Sequence, residues 1–370
     1  MSEATQDQLQ ECIDNLENVD YKCFFYLPDH EKPSGGIKLA YDHVKCMNEN
    51  GFNGVIIHNK SGFKPNWLAD YYDIDEDGNI ANIPIKYLSD EKLAIRAEDF
   101  FFIPEGFSNI MQNLAEQGVP CKKIIFCQNW YYILNALPPG VFWENYGITD
   151  CMSVSQTQTE YINAIMPNIK CKNIVGQIDK NVYHAPEKNT TKKFIAAFIP
   201  SRDGGTKAHN VIKTFYALFP HLRFIQFKEI RNLGKEEYAE TLRDSTFYIH
   251  FDEYSSWGTA PIEAFMSKCI VAGWDGVGGR EYMSPENCWV APNGDIFRLA
   301  IAIGNMIETY MMDDVKDSVW ESMEAATMLY SKEVEKDSII RAHNEYREER
   351  IEELEAIKKT ARKKQEASNA

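Results

Sequence analysis

The stretch FYIHFDEYSSWGTAPIEAFMSKCIVAG, residues 247–273, contains a complete strand, turn, helix and strand. Its first five residues and its last four are apolar runs of strand length. Between them a Trp-Gly turn precedes a short helical segment, in which Pro261 suits the first turn. A helix that connects two buried strands is typical of parallel pairing within one sheet. The pattern therefore predicts a parallel α/β fold, and it places Glu263 close to the positive end of the connecting helix.

Apolar runs and helical patterns alternate along the rest of the chain in the same way. The segment at 181–193 is polar, contains Pro186 and lacks periodicity, so it is the predicted linker. We predict two Rossmann-like parallel-sheet domains that face a cleft, at residues 1–182 and 191–332, with a charged helical tail at 333–370. The last helices are expected to pack back on the first domain. The strand candidates are residues 23–27, 55–58, 100–103, 124–127, 152–155, 194–199, 224–227, 247–251 and 270–273.

Composition limits the function classes. The chain has 370 residues, 44% of them hydrophobic, and a formal net charge of -16. Such an acidic balance argues against a nucleic-acid-coating surface and against attraction to anionic lipid. No window approaches the roughly 18 apolar residues of a membrane span, and the polar start lacks a signal-peptide pattern. The nine scattered cysteines form no C-x-x-C pair, which favours reduced thiols and a cytoplasmic location.

Glycines and cations follow the predicted strands. Gly35 and Gly36 begin the first long helix, where free N–H groups and the helix dipole favour a phosphate, although a plain strand-to-helix turn needs the same residues. In the second domain, Arg202 and Lys207 lie five residues apart in one loop and can hold a diphosphate from two sides. Two solvated surface charges are the alternative interpretation of that loop.

Two further features flank the opening stretch. Glu263 is expected at the carboxyl end of a parallel strand, where open α/β sheets bind ligands, although stabilisation of the helix end also explains it. The run Gly276-Val277-Gly278-Gly279 follows the next strand, and its N–H groups can face a sugar or phosphate or simply form a tight turn.

In order and spacing, these features resemble the family 4 glycosyltransferases of the GT-B fold, over about residues 21–315. The family has a glycine pair, an Arg and Lys about five apart, an E-x7-E segment, a Gly-Gly turn and an Asn-Gly or Gly-Asp signature. The matching residues here are Gly35-Gly36, Arg202 with Lys207, Trp257-Gly258 running to Glu263-Ala264, Gly278-Gly279, and Asn293-Gly294-Asp295.

The chain also departs from the family pattern. Ser255 occupies the position of the first Glu, with Asp252 and Glu253 just upstream, which leaves the contacts to the donor sugar undefined. Ala208 replaces the usual Gly after Lys207. Where the family often has a His after a first-domain strand, Gln128 and Asn129 are the candidate acceptor-pocket residues.

The resemblance implies a retaining transferase that uses a nucleotide diphosphate sugar, with UDP-sugar favoured. Arg202 and Lys207 neutralise the leaving diphosphate, and Glu263 accepts hydrogen bonds from the ribose. The leaving phosphate takes the acceptor proton, so neither a pair of catalytic carboxylates, nor a metal, nor a cofactor is expected. The remaining donor-binding residues implied are Gly35, Gly36, Ser255, Trp257, Gly258, Thr259, Gly278 and Gly279.

Other interpretations stay open on the sequence. The chain can be a non-catalytic nucleotide-sugar-binding scaffold, in which Ser255 marks lost catalysis, or a GT-B-type sugar-nucleotide epimerase that acts without an acceptor. The acceptor can be a glycan, a small molecule or a modified base in DNA. The basic run KKTARKK at 358–364 allows a polyanion or partner-helix contact for the tail, whose other interpretation is a solvated or frayed helix.

Overall fold

The computed structural model describes residues 5–76, 78–90, 93–188, 190–201 and 203–368. The chain forms two compact units. The first comprises the residues up to Ser153, Tyr161–Ile174 and the chain from Lys336 onward, and the second comprises Val154–Glu160 and Val175–Glu335.

The first unit is built on a seven-stranded parallel sheet. Its strands are β1 Cys23–Tyr26, β2 Gly54–His58, β3 Ile85–Tyr87, β4 Phe100–Pro104, β5 Lys122–Cys127, β6 Asp150–Ser153 and β7 Lys170–Asn173. The order is β3-β2-β1-β4-β5-β6-β7, so β2 and β3 extend the sheet to one side of β1 and β4 to β7 extend it to the other, and the order of connection reverses between β1 and β4. Such a reversal is the usual place for a ligand in this kind of sheet. Its helices include α1 Gln6–Glu17, α2 Gly35–Glu49, α3 Ser108–Glu116 and α4 Trp130–Asn135, and the part of α5 Gln156–Ile165 from Tyr161 onward also belongs to this unit.

The central strands of this sheet are buried along their whole length. In β1, β2 and β4 every residue is buried, as expected for a sheet covered on both faces. On one face, Phe25 stacks on Phe102 with ring centroids 4.3 Å apart, and Phe126 meets Phe25 edge-on at 5.6 Å. This continuous apolar pattern explains why the sequence predicted these strands.

The second unit is built on a five-stranded parallel sheet. Its strands are β8 Lys193–Phe198, β9 Gln226–Glu229, β10 Ser245–His250, β11 Ile270–Trp274 and β12 Cys288–Ala291, in the order β12-β11-β10-β8-β9. Its helices are α6 Thr206–Leu218, α7 Lys235–Asp244, α8 Thr259–Met266, α9 Ile296–Met311 and α10 Asp317–Met328. Gly304 of α9 lies against the ring of Phe219, where a Cβ atom would come within 2.2 Å. The stretch at residues 247–273 folds as predicted: β10 and β11 pair in parallel, and α8 connects them.

Three strands were not predicted, namely β3, β7 and β12. β7 reads Lys-Cys-Lys-Asn and has no fully buried residue, and β3 is only half-buried. All three lie at the edges of their sheets. Because an edge strand is covered less completely, its sequence does not need the long apolar run by which the central strands were recognised.

The predicted tail is a single helix, α11 Lys332–Ser368, which belongs to the first unit from Lys336 onward. One face of this helix is buried as far as Leu354, so the interpretation of the tail as a frayed helix is wrong up to that residue. Of the aliphatic residues Ile340, Ile351, Leu354 and Ile357 of this helix, only Leu354 is buried. The observed stripe is Ile339, His343, Tyr346, Arg350 and Leu354. No described helix is both long enough and apolar enough to cross a lipid bilayer.

Candidate functional site

In the second unit, the predicted basic loop joins β8 to α6. Gly204 and Gly205 have φ angles of 78° and 91°, a region that glycine adopts without strain. The Asp203 carboxylate accepts the backbone N–H groups of Gly205 and Lys207 at 3.2 and 3.0 Å, which fixes the start of the helix. The Ser201 hydroxyl, and then these N–H groups, lower the pKa of Asp203. Arg202, the first predicted cation, lies outside the described residues.

Lys207 lies in the first turn of α6 and forms an ion pair with Glu253, which follows β10. The hydrogen bond to Glu253 raises the pKa of Lys207. The Glu253 carboxylate is 13% exposed and faces Gly294, where a Cβ atom would lie 2.9 Å from Oε2. Since β8 and β10 are adjacent parallel strands, both residues lie at the carboxyl edge of the sheet. Sequence reasoning singled out Lys207 and mentioned Glu253 without giving it a role.

Ser255 lies in a crowded turn. Its side chain is 7% exposed, and its oxygen lies 2.9 and 3.0 Å from the positions that Cβ atoms would take at Gly258 and Gly276. A longer side chain at 255 would have to displace this turn. The carboxylate that pairs with Lys207 comes from Glu253, two residues earlier in the chain.

The turn at residues 276–279 packs on the turn at residues 255–258. A Cβ atom at Gly278 would lie only 1.7 Å from the carbonyl oxygen of Ser256, so only glycine fits there. The N–H of Gly278 donates to the carbonyl of Ser255 at 3.1 Å, and Gly279 is also buried. Asn293 holds the same turn, since its Oδ1 accepts the N–H of Gly276 at 3.0 Å. Gly278 thus has a packing role besides its predicted contact with the donor.

Trp257, Gly258 and Thr259 lead into α8. Gly258 is the N-cap, with a φ of 71°, and as a glycine it has no side chain that could cap the first turn. The Tyr282 hydroxyl lies within hydrogen-bonding distance of the carbonyl oxygens of Trp257 and Gly258. The Trp257 indole packs on Gly176, where a Cβ atom would come within 2.2 Å. The Trp257 side chain therefore packs against the interior of the second unit.

Glu263 lies in the second turn of α8 and is 9% exposed. The Tyr238 hydroxyl donates to its Oε2 at 2.7 Å. Burial, followed by the charge of Glu263, raises the pKa of Tyr238 well above its usual range, so the phenol stays a donor. The contact with Tyr238 shows that this buried carboxylate accepts hydrogen bonds from O–H groups.

In the first unit, the predicted glycine pair and the predicted amides come together. Gly35 and Gly36 begin α2, whose N-cap Ser34 makes no side-chain hydrogen bond to the first turn. The Gln128 side-chain amide donates to the carbonyl of Gly36 at 2.8 Å, and a Cβ atom at Gly36 would lie 2.2 Å from Gln128 Oε1. The side chain of Asn129 caps α4 by accepting the N–H of Tyr131 at 3.0 Å.

Glu105 is a candidate that sequence reasoning missed. It follows β4, and its buried carboxylate accepts the backbone N–H groups of Gln128 at 3.2 Å and Asn129 at 2.7 Å. Burial raises its pKa to about 7, although these hydrogen bonds act in the opposite direction. Glu105 thus positions the loop that contacts Gly36. An acidic residue directly after the apolar run FFFIP was the available sequence signal.

No family model matches the chain. It is 23% identical over 274 residues to an alpha-1,6-glucosyltransferase of Actinobacillus pleuropneumoniae, a match that covers 71% of this chain and 74% of that protein. Sucrose-phosphate synthase from Thermosynechococcus elongatus superposes with a TM-score of 0.64 at 12% identity, covering 89% of this chain and 98% of that one. Anabaena HepE in complex with UDP gives a TM-score of 0.58 at 14% identity over 88% of this chain and 100% of that one.

The pneumococcal O-GlcNAc transferase GtfA, in complex with UDP and GlcNAc, gives a TM-score of 0.57 at 11% identity over 90% of this chain and 99% of that one. Two parallel-sheet α/β units and these likenesses together define the fold as that of the GT-B glycosyltransferases. The predicted fold class is thereby confirmed.

Proposed function

We propose that the protein is a retaining glycosyltransferase that moves a sugar from a nucleotide diphosphate sugar to a glycan or small-molecule acceptor. One observation carries the proposal: at the carboxyl edge of the second sheet, Lys207 lies at the start of α6 and contacts Glu253. An ammonium group in the first turn of a helix, at the positive end of the helix dipole, favours a phosphate group. In this proposal Arg202 and Lys207 neutralise the diphosphate as its charge grows.

Glu263 anchors the nucleotide by accepting the ribose hydroxyls. The carboxylate is buried and accepts a hydrogen bond from the Tyr238 hydroxyl, and a ribose presents O–H donors of the same kind. Within the second unit, the donor turn is formed by Ser255, Trp257, Gly258, Thr259, Gly278 and Gly279. Gly35 and Gly36, in the first unit, are proposed as donor-binding residues as well. UDP is the favoured nucleotide, since HepE and GtfA were solved with UDP.

Glu253 supplies the sugar contact that Ser255 is too short to make. This carboxylate forms an ion pair with Lys207, and a bound diphosphate would take over the neutralisation of that lysine. The Glu253 carboxylate is then available to accept hydrogen bonds from sugar hydroxyls.

In this proposal the bond from the anomeric carbon to the phosphate oxygen breaks, the acceptor hydroxyl attacks from the same face, and the leaving phosphate takes its proton, so the configuration is retained. The protein's part is to hold the diphosphate and to stabilise its charge, so a metal ion, a cofactor and a pair of catalytic carboxylates are unnecessary. Gln128 and Asn129 belong to the acceptor side, positioned by Glu105. A glycan acceptor fits the alpha-1,6-glucosyltransferase to which the chain is similar.

The experiment is a screen of UDP-, GDP- and ADP-sugars by thermal shift, followed by incubation of the stabilising donor with oligosaccharide acceptors. We expect a UDP-sugar to raise the melting temperature and the product to keep the donor's anomeric configuration by NMR. A product of inverted configuration contradicts retention. Stabilisation without turnover on any acceptor favours a binding protein, and conversion of the donor alone favours an epimerase.

A further inference from the structure

The helix α4 of the first unit has an exposed aromatic surface that the proposed donor site does not use. Tyr131 and Tyr132 are 46% and 45% exposed, and Leu134, three residues after Tyr131, is 43% exposed. A single exposed apolar side chain is ordinary on a protein surface, but three on one short helix form a contiguous patch. Contiguous patches of this kind mark binding surfaces, and we call this one the α4 surface.

The rings of the α4 surface are fixed by the residues that pack beside them. Ile133 is fully buried, and Trp130 packs edge-on against Tyr161 at 5.8 Å and against Tyr131 at 6.1 Å between ring centroids. The Tyr131 and Tyr132 rings lie 5.7 Å apart at an angle of 75°. Because the two planes are nearly perpendicular, a ligand on the face of one ring meets the edge of the other. Rings that are already in place lose little conformational entropy when a ligand binds.

The α4 surface adjoins the residues proposed for the acceptor side. Asn129 is the N-cap of α4, and its backbone N–H donates to the buried carboxylate of Glu105 at 2.7 Å. Gln128, directly before it, donates to the carbonyl of Gly36 at 2.8 Å. Both amide residues are partly exposed, so the chain places hydrogen-bonding groups immediately before the aromatic residues.

The chemistry of this segment favours an uncharged ligand with many hydroxyl groups. Residues 128–143 contain no Asp, Glu, Lys or Arg, although 25% of the whole chain is charged. A nucleic acid or another polyanion needs cations beside the rings on which it stacks, and this segment has none. A pyranose ring has an apolar C–H face and a rim of hydroxyl groups. The face matches a tyrosine ring, and the rim matches side-chain amides and phenol hydroxyls.

We propose that Tyr131 and Tyr132 form a sugar-stacking subsite and that the acceptor is an uncharged oligosaccharide. The assignment as acceptor rests on the proposed function and narrows it from a glycan or small molecule to a neutral glycan chain. The binding of a saccharide to the α4 surface stands independently of transfer, because the nucleotide is assigned to the second unit.

The binding test uses the full-length protein and three uncharged tetrasaccharides, namely maltotetraose, cellotetraose and chitotetraose. A chondroitin sulfate tetrasaccharide is the anionic counterpart. We expect at least one uncharged tetrasaccharide to bind by isothermal titration and to slow hydrogen exchange at residues 129–137. The anionic tetrasaccharide should leave exchange in that segment unchanged.

Variants of the two tyrosines locate the contact. Tyr131→Ala and Tyr132→Ala should each weaken tetrasaccharide binding by at least about tenfold, while Tyr131→Phe, which keeps the ring, should bind nearly as well as the wild type. Phe224→Ala is the matched control, since Phe224 is a 51% exposed aromatic residue of the second unit. Unchanged circular dichroism and UDP affinity in the alanine variants show that the fold and the nucleotide site are intact.

The proposal is overturned if none of the uncharged tetrasaccharides binds, or if protection falls only outside residues 129–137. It is also overturned if both alanine variants bind as the wild type does. Binding of phosphatidylcholine vesicles that Tyr131→Ala abolishes, with no binding of tetrasaccharides, would assign the surface to lipid instead.

Turnover separates this inference from the proposed function. With a UDP-sugar and the bound tetrasaccharide, Tyr131→Ala should raise the acceptor KM by at least about tenfold and leave kcat close to the wild-type value, because the ring holds the acceptor away from the reacting atoms. A protein that binds the tetrasaccharide at residues 129–137 and binds no UDP supports the subsite and removes the transferase. A protein that transfers sugar to an acceptor with no dependence on either tyrosine keeps the transferase and overturns the subsite.

Discussion

At Gly278, the backbone lies so close to Ser256 that the turn has no room for an added methyl group. Gly278→Ala would place its Cβ atom 1.7 Å from a backbone oxygen, and backbone cannot move aside as a flexible side chain can. We expect a loss of roughly 3 kcal/mol in the free energy of unfolding, the upper end for overpacking. Urea unfolding measures it.

Gly35→Ala is the matched control, because no heavy atom lies within 4 Å of the added Cβ atom. It should leave the stability unchanged or raise it slightly. Equal losses in both variants would contradict the packing role of Gly278.

Glu253→Gln tests the division of roles between diphosphate and sugar. An amide oxygen still accepts from Lys207, and the diphosphate brings its own charge, so we expect UDP affinity to be kept or raised. Sugar transfer should fall about a hundredfold, about 3 kcal/mol of transition-state stabilisation. Glu286→Gln, an exposed acid of the same unit, serves as control. Parallel losses of UDP affinity and transfer would place Glu253 on the nucleotide instead.

Among the elements of the first unit, α11 is joined to the sheet by buried side chains and hydrogen bonds. Its buried stripe covers the sheet, the Tyr346 hydroxyl donates to the carbonyl of Cys151 at 2.6 Å, and Arg350 donates to the carbonyl of Ala97 at 3.0 Å. On one side of it, Lys122 contacts both Asp150 at 2.7 Å and Glu353 at 2.6 Å. The helix is therefore part of the core.

A chain that ends at Glu335 should fail to fold its first unit, because removal of α11 exposes the apolar face beneath it. A chain that ends at Thr360 keeps the stripe and the contacts of Lys358 with α1, and should unfold at the same temperature as the full chain. Circular dichroism and solubility distinguish the two. A soluble, cooperatively folded chain ending at Glu335 would contradict this account of α11.

The contact of α2 with α11 predicts a pH dependence. Nε2 of His43 lies 2.8 Å from Nε2 of His343, and both rings are buried. Burial lowers the pKa of His343 to about 3, and burial together with His343 lowers that of His43. In the unfolded chain both pKa values lie near 6.5. Below about pH 6.5 the unfolded state therefore binds more protons, and stability falls as the pH drops toward 3.

The measurement is the free energy of unfolding in urea between pH 7.5 and 4.5. Each imidazole contributes up to about 1.4 kcal/mol per pH unit in that window. His343→Gln should show a shallower loss, while His184→Gln, at an exposed histidine, should follow the wild type. Identical slopes in all three proteins would show that the pair does not titrate on unfolding.

For the whole molecule, the sequence predicted what local patterns encode. Central strands buried on both faces need apolar runs, and turns with positive φ need glycine, so the sheets and the glycine turns could be recognised. The buried face of α11 escaped notice because it mixes an imidazole, a phenol and a guanidinium with aliphatic residues. Glu253 pairs with Lys207 across 46 positions of the chain, and Tyr238 pairs with Glu263 across 25. Both pairs depend on the order of the strands in the sheet, which local patterns do not encode.

The central claim is that a nucleoside diphosphate binds at the carboxyl edge of the second sheet, on Lys207. Isothermal titration of UDP into the wild type, Lys207→Ala and Lys213→Ala tests it, the last being an exposed lysine of the same helix. We predict that Lys207→Ala loses at least tenfold in affinity and that Lys213→Ala matches the wild type. Equal UDP affinities in all three proteins would contradict the account.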